Sequence, residues 1–380
     1  MVLLPICAGA QSYETIHRKA IVVDTHNDFI LHTMEKGYLL DQDLKGKTYS
    51  DLRRFKEGGV DVQVFSIWCD GNKKNPYAFA NAEIDSLYAV AARNPDKMVM
   101  AKDSRDIRKA VSQHRLAAMM GVEGGHMIEN SLENLAALYA RGVRYMTLTW
   151  NNSTPWSTSA MEETRGGLAH TGLTDFGKQV IRKMNELGML VDLSHVGEQT
   201  FWDAIRTTSK PVLVSHSCVY NLCPVFRNLK DEQIKAIGKN GGVIHINFYS
   251  GFVDSTFERR NAAFNMRHKT ERDSLLKINP ENYFAEAFLF GKYPAEVKAL
   301  RPPLSMLLDH IDYIVKMIGV DHVGLGSDFD GISSSPQQLD DVTTYPLITR
   351  SLLERGYSQR DIEKILGGNF LRLLAANEKK

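Results

Sequence analysis

This sequence contains few cysteines, no excess of charge of either sign and no long apolar run. Four of its 380 residues are cysteine (Cys7, Cys69, Cys218 and Cys223), and no Cys-x-x-Cys pair occurs. We expect free or incidental thiols, since a disulfide framework would show denser spacing. With 46 Lys and Arg against 45 Asp and Glu, no basic field exists to hold nucleic acid or an anionic membrane. No apolar run approaches the ~20 residues needed to span a bilayer.

The amino terminus, MVLLPICAGAQ, is apolar and ends in small residues, as the end of a secretory signal does. The basic segment with which a secretory signal begins is missing. Three interpretations are therefore open: a truncated signal, a lipoprotein start at Cys7 and an ordinary amino terminus. We expect residues 1–11 to be a signal remnant and residues 12–380 to form one domain. The expected location is therefore periplasmic or extracellular, with a cytoplasmic location as the alternative.

Short apolar runs rich in β-branched residues recur along the chain and predict eight strands. The predicted strands are Ala20–Asp24, Val60–Trp68, Ala117–Val122, Val143–Thr149, Met189–Leu193, Val212–Ser215, Gly242–Asn247 and His322–Gly326. Most are continuously apolar rather than alternating, which is typical of strands buried on both faces of a parallel sheet.

Amphipathic helical patterns separate these strands. The clearest are Tyr77–Arg93, Ser131–Arg141, Asp175–Leu187, Glu198–Thr207, Asp231–Lys239 and Ser305–Ile318. Alternation of strand and helix predicts an α/β fold, a closed (β/α)8 TIM-like barrel in a single domain. An open doubly wound sheet is the weaker alternative, because no Gly-x-Gly-x-x-Gly follows the first strand.

Two segments fall outside the regular alternation. Phe248–Pro303 is a long insertion after the seventh strand, and a connection of this length usually forms its own helices over a functional site. Ser358–Ala376 reads as a capping helix interrupted at Gly367–Gly368.

Histidines and acidic residues fall at the ends of five predicted strands. The first strand leads to His26 and Asp28, the third to Glu123, the fifth to His195, the sixth to His216, and the eighth to Asp328 and Asp330. In a barrel these ends meet on one face, where active sites are built. One histidine at a strand end is usually structural, so the prediction of a metal site depends on the whole set.

The residue types suit a divalent metal. Zinc binds imidazole and carboxylate where no thiolate is offered, and such sets leave a position open for water. His26 and Asp28 point to the same side of an extended segment, because side chains alternate there. The two oxygens of Glu123 could bridge two ions, and a pair of ions can activate water and polarise a carbonyl together.

These motifs resemble the renal or membrane dipeptidase family of the metal-dependent amidohydrolase superfamily, over nearly the whole chain. The matching stretches are VVDTHND, DLRRFKEGGVDVQVFSIW, GVEGG, VRYMTLTWNNSTPW, GLTDFGKQVIRKMNELGMLVDLSHV, PVLVSHS and HVGLGSDFDG. The resemblance implies a homodimer of β/α barrels, each with two Zn²⁺ ions, that hydrolyses dipeptides.

The resemblance also implies roles for individual residues. One ion would be held by His26, Asp28 and Glu123, and the other by Glu123, His195 and His216. Asp328 would take a proton from a bridging hydroxide and pass it to the leaving amine, as a general acid–base. Arg227 would grip the substrate's terminal carboxylate through two parallel hydrogen bonds.

One position departs from the family pattern. Mammalian members carry a histidine, which stabilises the oxyanion, where this sequence has Trp150. The Trp150 indole has one N–H donor and no titratable group. It could donate to the oxyanion, Asn151 or Asn152 could replace it, or Trp150 could form a pocket wall.

Two other functions stay open. One is a different amidohydrolase reaction, on a cyclic amide, a lactone or an N-acyl amino acid. Such relatives often bridge their metals with a carboxylated lysine, and no lysine ends the fourth predicted strand. The other is a catalytically weak metal-binding homologue, which Trp150 alone favours.

Overall fold

A computed structural model describes residues 12–280 and 282–379 of the chain. Its strands are β1 Val23–Asn27, β2 Val62–Ile67, β3 Met98–Met100, β4 Leu116–Glu123, β5 Val143–Thr147, β6 Leu190–Asp192, β7 Leu213–Ser217, β8 Val243–Ile246 and β9 Val323–Leu325. Eight of them pair in parallel in the order β1-β2-β4-β5-β6-β7-β8-β9, and the short β3 pairs with β4 outside this path. The predicted (β/α)8 barrel is confirmed.

Helices follow the strands and surround them. They are α1 Tyr13–Lys19, α2 Phe29–Lys36, α3 Leu52–Gly58, α4 Pro76–Arg93, α5 Ser104–Ser112, α6 Leu132–Arg141, α7 Ala160–Arg165, α8 Asp175–Leu187, α9 Glu198–Thr207, α10 Asp231–Asn240, α11 Ser250–Val253, α12 Phe257–Arg267, α13 Lys269–Ile278, α14 Asn282–Lys292, α15 Pro294–Leu300, α16 Leu304–Ile318, α17 Tyr345–Glu354, α18 Gln359–Glu363 and α19 Asn369–Asn377. The wider turn Lys364–Gly368 joins α18 to α19, where the sequence predicted an interruption.

Hydrogen-bonding caps explain why several helices begin and end where the sequence predicted. The side chain of Ser131 accepts from Asn134 N at the start of α6, and that of Thr174 accepts from Gly177 N at the start of α8. Gly142 and Gly188 end these helices in the left-handed conformation, which costs glycine little.

The first and last strands of the barrel meet through a short bridge and a buried carboxylate. Asn27 and Phe329 form an isolated parallel bridge beyond the strand ends. Asp24 accepts hydrogen bonds from the backbone and hydroxyl of Ser327 and from the hydroxyl of Tyr345. These bonds hold the chain around Asp328 against β1, where the site described below is built.

The bounds predicted for the first strand were wrong. It runs from Val23 to Asn27 rather than from Ala20 to Asp24, because α1 ends at Lys19 with Ala20 as its cap, and the strand continues through polar residues. Most of their polar groups find partners inside the barrel; Thr25, for example, donates to Ser215 O at 2.7 Å. The short strand β3 had no counterpart among the predicted strands.

The apolar core has two layers. The amino-terminal end of the barrel is filled by the first residues of its strands, among them Val23, Val62 and Val243, and closed by Phe370 of α19. The strand residues that alternate with these, such as Phe65 and Ile67, point out of the barrel and pack against the helices. The barrel is therefore closed at one end, and the carboxyl ends of its strands form the open end.

The insertion after β8 forms five short helices, α11 to α15. Phe257, Phe264, Leu289 and Phe290 of these helices pack into an apolar cluster of their own. Phe284 of α14 reaches the cavity at the open end of the barrel. The insertion is thus a helical cover beside the site, as its length predicted.

Two expectations concern the cysteines and the amino terminus. Cys69, Cys218 and Cys223 are buried and free, as predicted. Residues 1–11, which include Cys7 and the proposed signal remnant, lie outside the described part of the chain. Within residues 12–280 and 282–379, no helix is both long and apolar enough to cross a bilayer.

Candidate metal centre and active site

Six acidic and histidine side chains from five strands converge at the open end of the barrel. They are His26 in β1, Asp28 just after it, Glu123 at the end of β4, His195 after β6, His216 in β7 and Asp328 after β9. Asp28, Glu123, His195 and Asp328 line a cavity of about 1590 Å³, and the fully buried His26 and His216 lie behind them. All the predicted metal ligands are therefore neighbours in space.

One half of the cluster consists of His195, His216 and Glu123. Glu123 Oε1 lies 2.9 Å from His195 Nε2 and 3.3 Å from His216 Nε2. The two Nε2 atoms are 3.0 Å apart. Three potential ligand atoms thus surround one point.

The other half is arranged around His26. Its Nε2 lies 3.5 Å from Asp28 Oδ2, 3.5 Å from Glu123 Oε2 and 4.0 Å from Asp328 Oδ1. Glu123 therefore presents one oxygen to each half. His26 Nε2 and Asp28 Oδ1 are buried without a hydrogen-bond partner among the described residues. Unpaired buried polar atoms are costly, and a bound cation would satisfy both.

In the rings of His195 and His216, the hydrogen bond made by Nδ1, the nitrogen that points away from Glu123, decides which nitrogen carries the hydrogen. His195 Nδ1 lies 3.1 Å from Oδ1 of the Asn151 side chain, which can only accept. The hydroxyl of Ser215 donates to Asp192 at 2.6 Å and therefore accepts from His216 Nδ1 at 2.8 Å. In each neutral ring the hydrogen is on Nδ1, and Nε2 presents a lone pair to Glu123.

His26 follows the same pattern. The hydroxyl of Tyr145 donates to Thr25 O at 3.1 Å and lies 2.7 Å from His26 Nδ1, from which it accepts. Carbonyls, carboxylates and hydroxyls that hold the outer nitrogen in this way are the usual supports of metal-binding histidines. The donor set fits divalent metal ions.

The electrostatics of the cluster favour a positive charge at its centre. Burial opposes charge on His26, but Tyr145, Asp28 and Glu123 outweigh it and raise the His26 pKa well above its ordinary value. Burial also opposes charge on Glu123, yet the surrounding histidines hold its pKa well below the ordinary value. A cation bound between these groups would take the place of the proton on His26.

His195 and Asp328 have unusual pKa values and backbones. Burial, reinforced by the Arg227 charge, lowers the pKa of His195 to about 4. Burial and the repulsion of Asp28 raise the pKa of Asp328 well above its ordinary value. Both residues have left-handed φ angles, 63° and 62°, which are uncommon for residues other than glycine. Asn247 Nδ2 donates to Asp328 Oδ2 at 2.8 Å and leaves Oδ1 directed toward His26.

Arg227 lies in the loop after β7 and lines the same cavity. It is 6% exposed, its guanidinium lies 5.3 Å from the centre of the Phe252 ring, and its Nη2 has no hydrogen-bond partner among the described residues. Burial lowers the Arg227 pKa to about 10. A buried guanidinium with a spare donor is suited to bind a carboxylate that enters the cavity.

Trp150 and Asn151 lie beside His195 and also line the cavity. The Trp150 ring is 6.4 Å from the His195 ring and 4.8 Å, edge to face, from the Trp68 ring. The carbonyl oxygen of the Asn151 side chain is engaged with His195, which favours a positioning role over a direct role in substrate binding.

Some supporting residues were not predicted from the sequence. Asp192, Tyr145, Ser215 and Asn247 orient the candidate ligands or Asp328, but none was singled out. The sequence did offer a reason to single out Asp192, because a carboxylate inside the apolar run MLVDL must find hydrogen-bond partners when it is buried. Tyr145 gave no such signal, since tyrosine is common in strands.

Comparison with known proteins decides the family. The model of the membrane dipeptidase family, peptidase family M19, matches residues 10–380. The chain belongs to this family.

Two relatives agree with this assignment. A Schizosaccharomyces pombe protein described as an uncharacterized dipeptidase is 33% identical over 97% of this chain and 83% of its own length. Dipeptidase 3 of Mus musculus is 30% identical over 94% of this chain, which spans 64% of the mouse protein.

Solved structures share the fold of this family member. The probable dipeptidase PvdM from Pseudomonas aeruginosa superposes with a TM-score of 0.79, at 24% identity over 96% of this chain and 97% of that one. A Rhodobacter sphaeroides metallopeptidase, liganded with a phosphinate mimic of the dipeptide L-Ala-D-Ala, gives 0.77 at 22% identity over 94% and 100%. The predicted family and the predicted enzyme class, peptide-bond hydrolysis by a metallo-dipeptidase, are confirmed. Membership implies a divalent metal.

Proposed function

We propose that this chain is a zinc-dependent dipeptidase that hydrolyses the peptide bond of dipeptides. The observation that carries the proposal is the convergence of three imidazole Nε2 atoms on Glu123, in a cavity that also holds a buried, unpaired Arg227 nitrogen. The group of histidines around Glu123 suits a pair of metal ions, and the Arg227 nitrogen suits a free carboxylate on the substrate.

The ligand sets follow from the two halves of the cluster. His26, Asp28 and Glu123 would hold one ion, and Glu123, His195 and His216 would hold the other, with Glu123 shared. Bound zinc would lower the pKa of a water molecule toward ~7 and polarise the scissile carbonyl. Nitrogen and oxygen ligands also accept other first-row ions, so zinc itself is part of the proposal.

Asp328 would carry the proton in this reaction. Its Oδ2 is fixed by Asn247, and its Oδ1 faces the cluster 4.0 Å from His26 Nε2. We assign to Oδ1 the removal of a proton from the attacking water and its delivery to the leaving nitrogen. The raised pKa of Asp328 makes it a better base than an exposed aspartate.

Arg227 would bind the terminal carboxylate and so set the substrate's length. The cavity of about 1590 Å³ exceeds the ~300–1,000 Å³ of common ligand pockets, so its volume does not limit substrates to two residues. A guanidinium that binds the carboxylate next to the scissile bond does impose that limit. In a longer peptide the corresponding group is an uncharged amide.

Asn151 and Trp150 have supporting places in the proposal. Asn151 would hold the His195 ring and its proton through the bond to Nδ1. Trp150 would shape the cavity beside His195 or donate its N–H to the oxyanion. Export and the homodimer remain predictions from the amino terminus and the resemblance.

The proposal is tested with purified protein in added zinc. We expect the value of kcat/KM for Ala-Ala to exceed those for Ala-Ala-Ala, for Ala-Ala amide and for N-acetyl-Ala. Preferred cleavage of tripeptides would contradict the role of Arg227. Preferred cleavage of N-acetyl-Ala would favour the alternative amidohydrolase function, and no hydrolysis of any substrate would favour a catalytically weak homologue.

A further inference from the structure

Two tryptophans form one wall of the active-site cavity. Trp68 follows β2 and Trp150 follows β5, and their rings meet edge to face at 4.8 Å with 64° between the planes. Both line the cavity and both are partly exposed. We call this pair the tryptophan wall.

The strand order places Trp68, and the Trp150 ring that packs against it, on the side of the mouth away from Arg227. In the ring of eight strands, β2 lies four places from β7, whose loop carries Arg227, and is therefore opposite it. Trp150 lies close to the end of β4. A Cβ atom placed on Gly124, which directly follows β4, would be 3.3 Å from Trp150 Cβ. Candidate metal ligands line the same cavity, and the His195 ring is 6.4 Å from the Trp150 ring.

A substrate that spans the mouth has a defined direction. With the terminal carboxylate on Arg227 and the scissile carbonyl at the metal ligands, the amino-terminal residue reaches the opposite side of the mouth. Its side chain then meets the tryptophan wall, beside Leu31 and Phe79, which also line the cavity. These groups offer apolar and aromatic surface.

We propose that the tryptophan wall selects dipeptides whose amino-terminal residue is large and apolar or aromatic. This inference depends on the proposed function, because it takes Arg227 as the carboxylate anchor. Aromatic rings favour edge-to-face and offset contacts with other rings beyond the effect of burial alone. Specificity on the carboxyl-terminal side chain would be set elsewhere, near Arg227.

Two series of substrates test the proposal, one that varies the amino-terminal residue and one that varies the carboxyl-terminal residue. For the native chain we expect kcat/KM to be at least about tenfold higher for Phe-Ala than for Ala-Ala. In Trp150→Ala this ratio should fall to near one, while the ratio of Ala-Phe to Ala-Ala stays at its native value. A structural defect would lower all three rates together and leave both ratios unchanged.

Trp150→Phe separates the wall from an oxyanion donor. It keeps an aromatic ring and removes the N–H, so the wall predicts that the Phe-Ala to Ala-Ala ratio is largely retained. Trp202→Phe is the matched control, because Trp202 lies on α9 outside the residues that line the cavity, and it should change neither ratio.

Four results would overturn the inference. Equal ratios in the native chain and Trp150→Ala would show that the wall selects nothing. A uniform loss of kcat in Trp150→Phe, with native ratios in Trp150→Ala, would assign Trp150 to the oxyanion instead. Failure of the native chain to hydrolyse any dipeptide would remove the proposed function and this inference with it, whereas normal hydrolysis without selectivity would remove this inference alone.

Discussion

The Nε2 atoms of His195 and His216 face each other at 3.0 Å, and each ring carries its hydrogen on the opposite nitrogen. Two lone pairs at this distance repel unless a cation lies between them or a proton is shared. Burial opposes that proton, since it lowers the pKa of both rings, that of His195 to about 4. This arrangement supports the proposed metal site at the two rings, which their bonds to Asn151 and Ser215 hold in this orientation.

Removal of the bond that orients His26 should weaken metal binding without unfolding the barrel. Tyr145→Phe deletes the hydroxyl that lies 2.7 Å from His26 Nδ1. Loss of such a support typically costs about 10–100-fold in metal affinity. Zinc titration against a competing chelator measures the change. Tyr88→Phe, which loses only a bond to Arg141 O, is the matched control, and an equal loss in both variants would contradict the role of Tyr145.

Asp328→Asn should separate metal binding from catalysis. The amide keeps the shape of the side chain but cannot take a proton from water, so we expect kcat to fall by about 10²–10⁴-fold. Bound metal, counted by mass spectrometry of the dialysed protein, should stay at the native level. Activity within a few fold of native would reassign the base, and loss of metal would make Asp328 a ligand.

Arg227→Ala should matter only for substrates that carry a free carboxylate. We expect kcat/KM for Ala-Ala to fall by about 10²-fold or more, since a charged hydrogen-bonded pair is lost. The slow hydrolysis of Ala-Ala amide should change little. Arg227→Lys should recover part of the Ala-Ala rate, because it restores the charge without the paired geometry. Equal losses on both substrates would place Arg227 in the structure rather than at the substrate.

Acid should destabilise the protein partly through His245, a buried histidine of β8 whose Nδ1 bonds to Val214 O. Burial lowers the His245 pKa from 6.5 to about 3. The folded state therefore resists a proton that the unfolded chain accepts, so this contribution is complete above pH 6.5 and is lost as the pH falls toward 3. The slope is at most ~1.4 kcal/mol per pH unit.

The variant His245→Gln tests this prediction. Glutamine can still donate to Val214 O, the partner of His245 Nδ1, and does not titrate. In metal-free protein, the thermal midpoint should fall less steeply between pH 6.5 and 4.5 for the variant than for the native chain. Parallel curves would show that His245 does not contribute.

The sequence predicted the barrel and the candidate ligands because both depend on local patterns. Largely apolar strands such as Leu116–Glu123 and capped helices such as Asp175–Leu187 are recognisable one at a time. His26 and His216 stood out because polar residues beside apolar runs at barrel strand ends are expected on one face. The strands themselves extend through these histidines, since hydrogen bonds inside the barrel satisfy the neighbouring polar groups.

The rest of the site depends on contacts between distant segments. Tyr145 supports His26 from 119 residues away, and Asn247 holds Asp328 from 81 residues away. No periodicity in the chain links such pairs. The opposition of Trp68 and Arg227 likewise follows from the strand order around the barrel. These relationships appear only once the fold is known.

Metal content tests the central claim most directly. We expect the purified chain, loaded with zinc and dialysed, to retain two ions, and Glu123→Gln to retain at most one and to be inactive, because Glu123 offers an oxygen to each half of the cluster. The control Glu133→Gln changes an exposed glutamate on α6 and should keep both ions. A native chain that binds no metal, or a Glu123→Gln variant with native metal content and activity, would contradict the account.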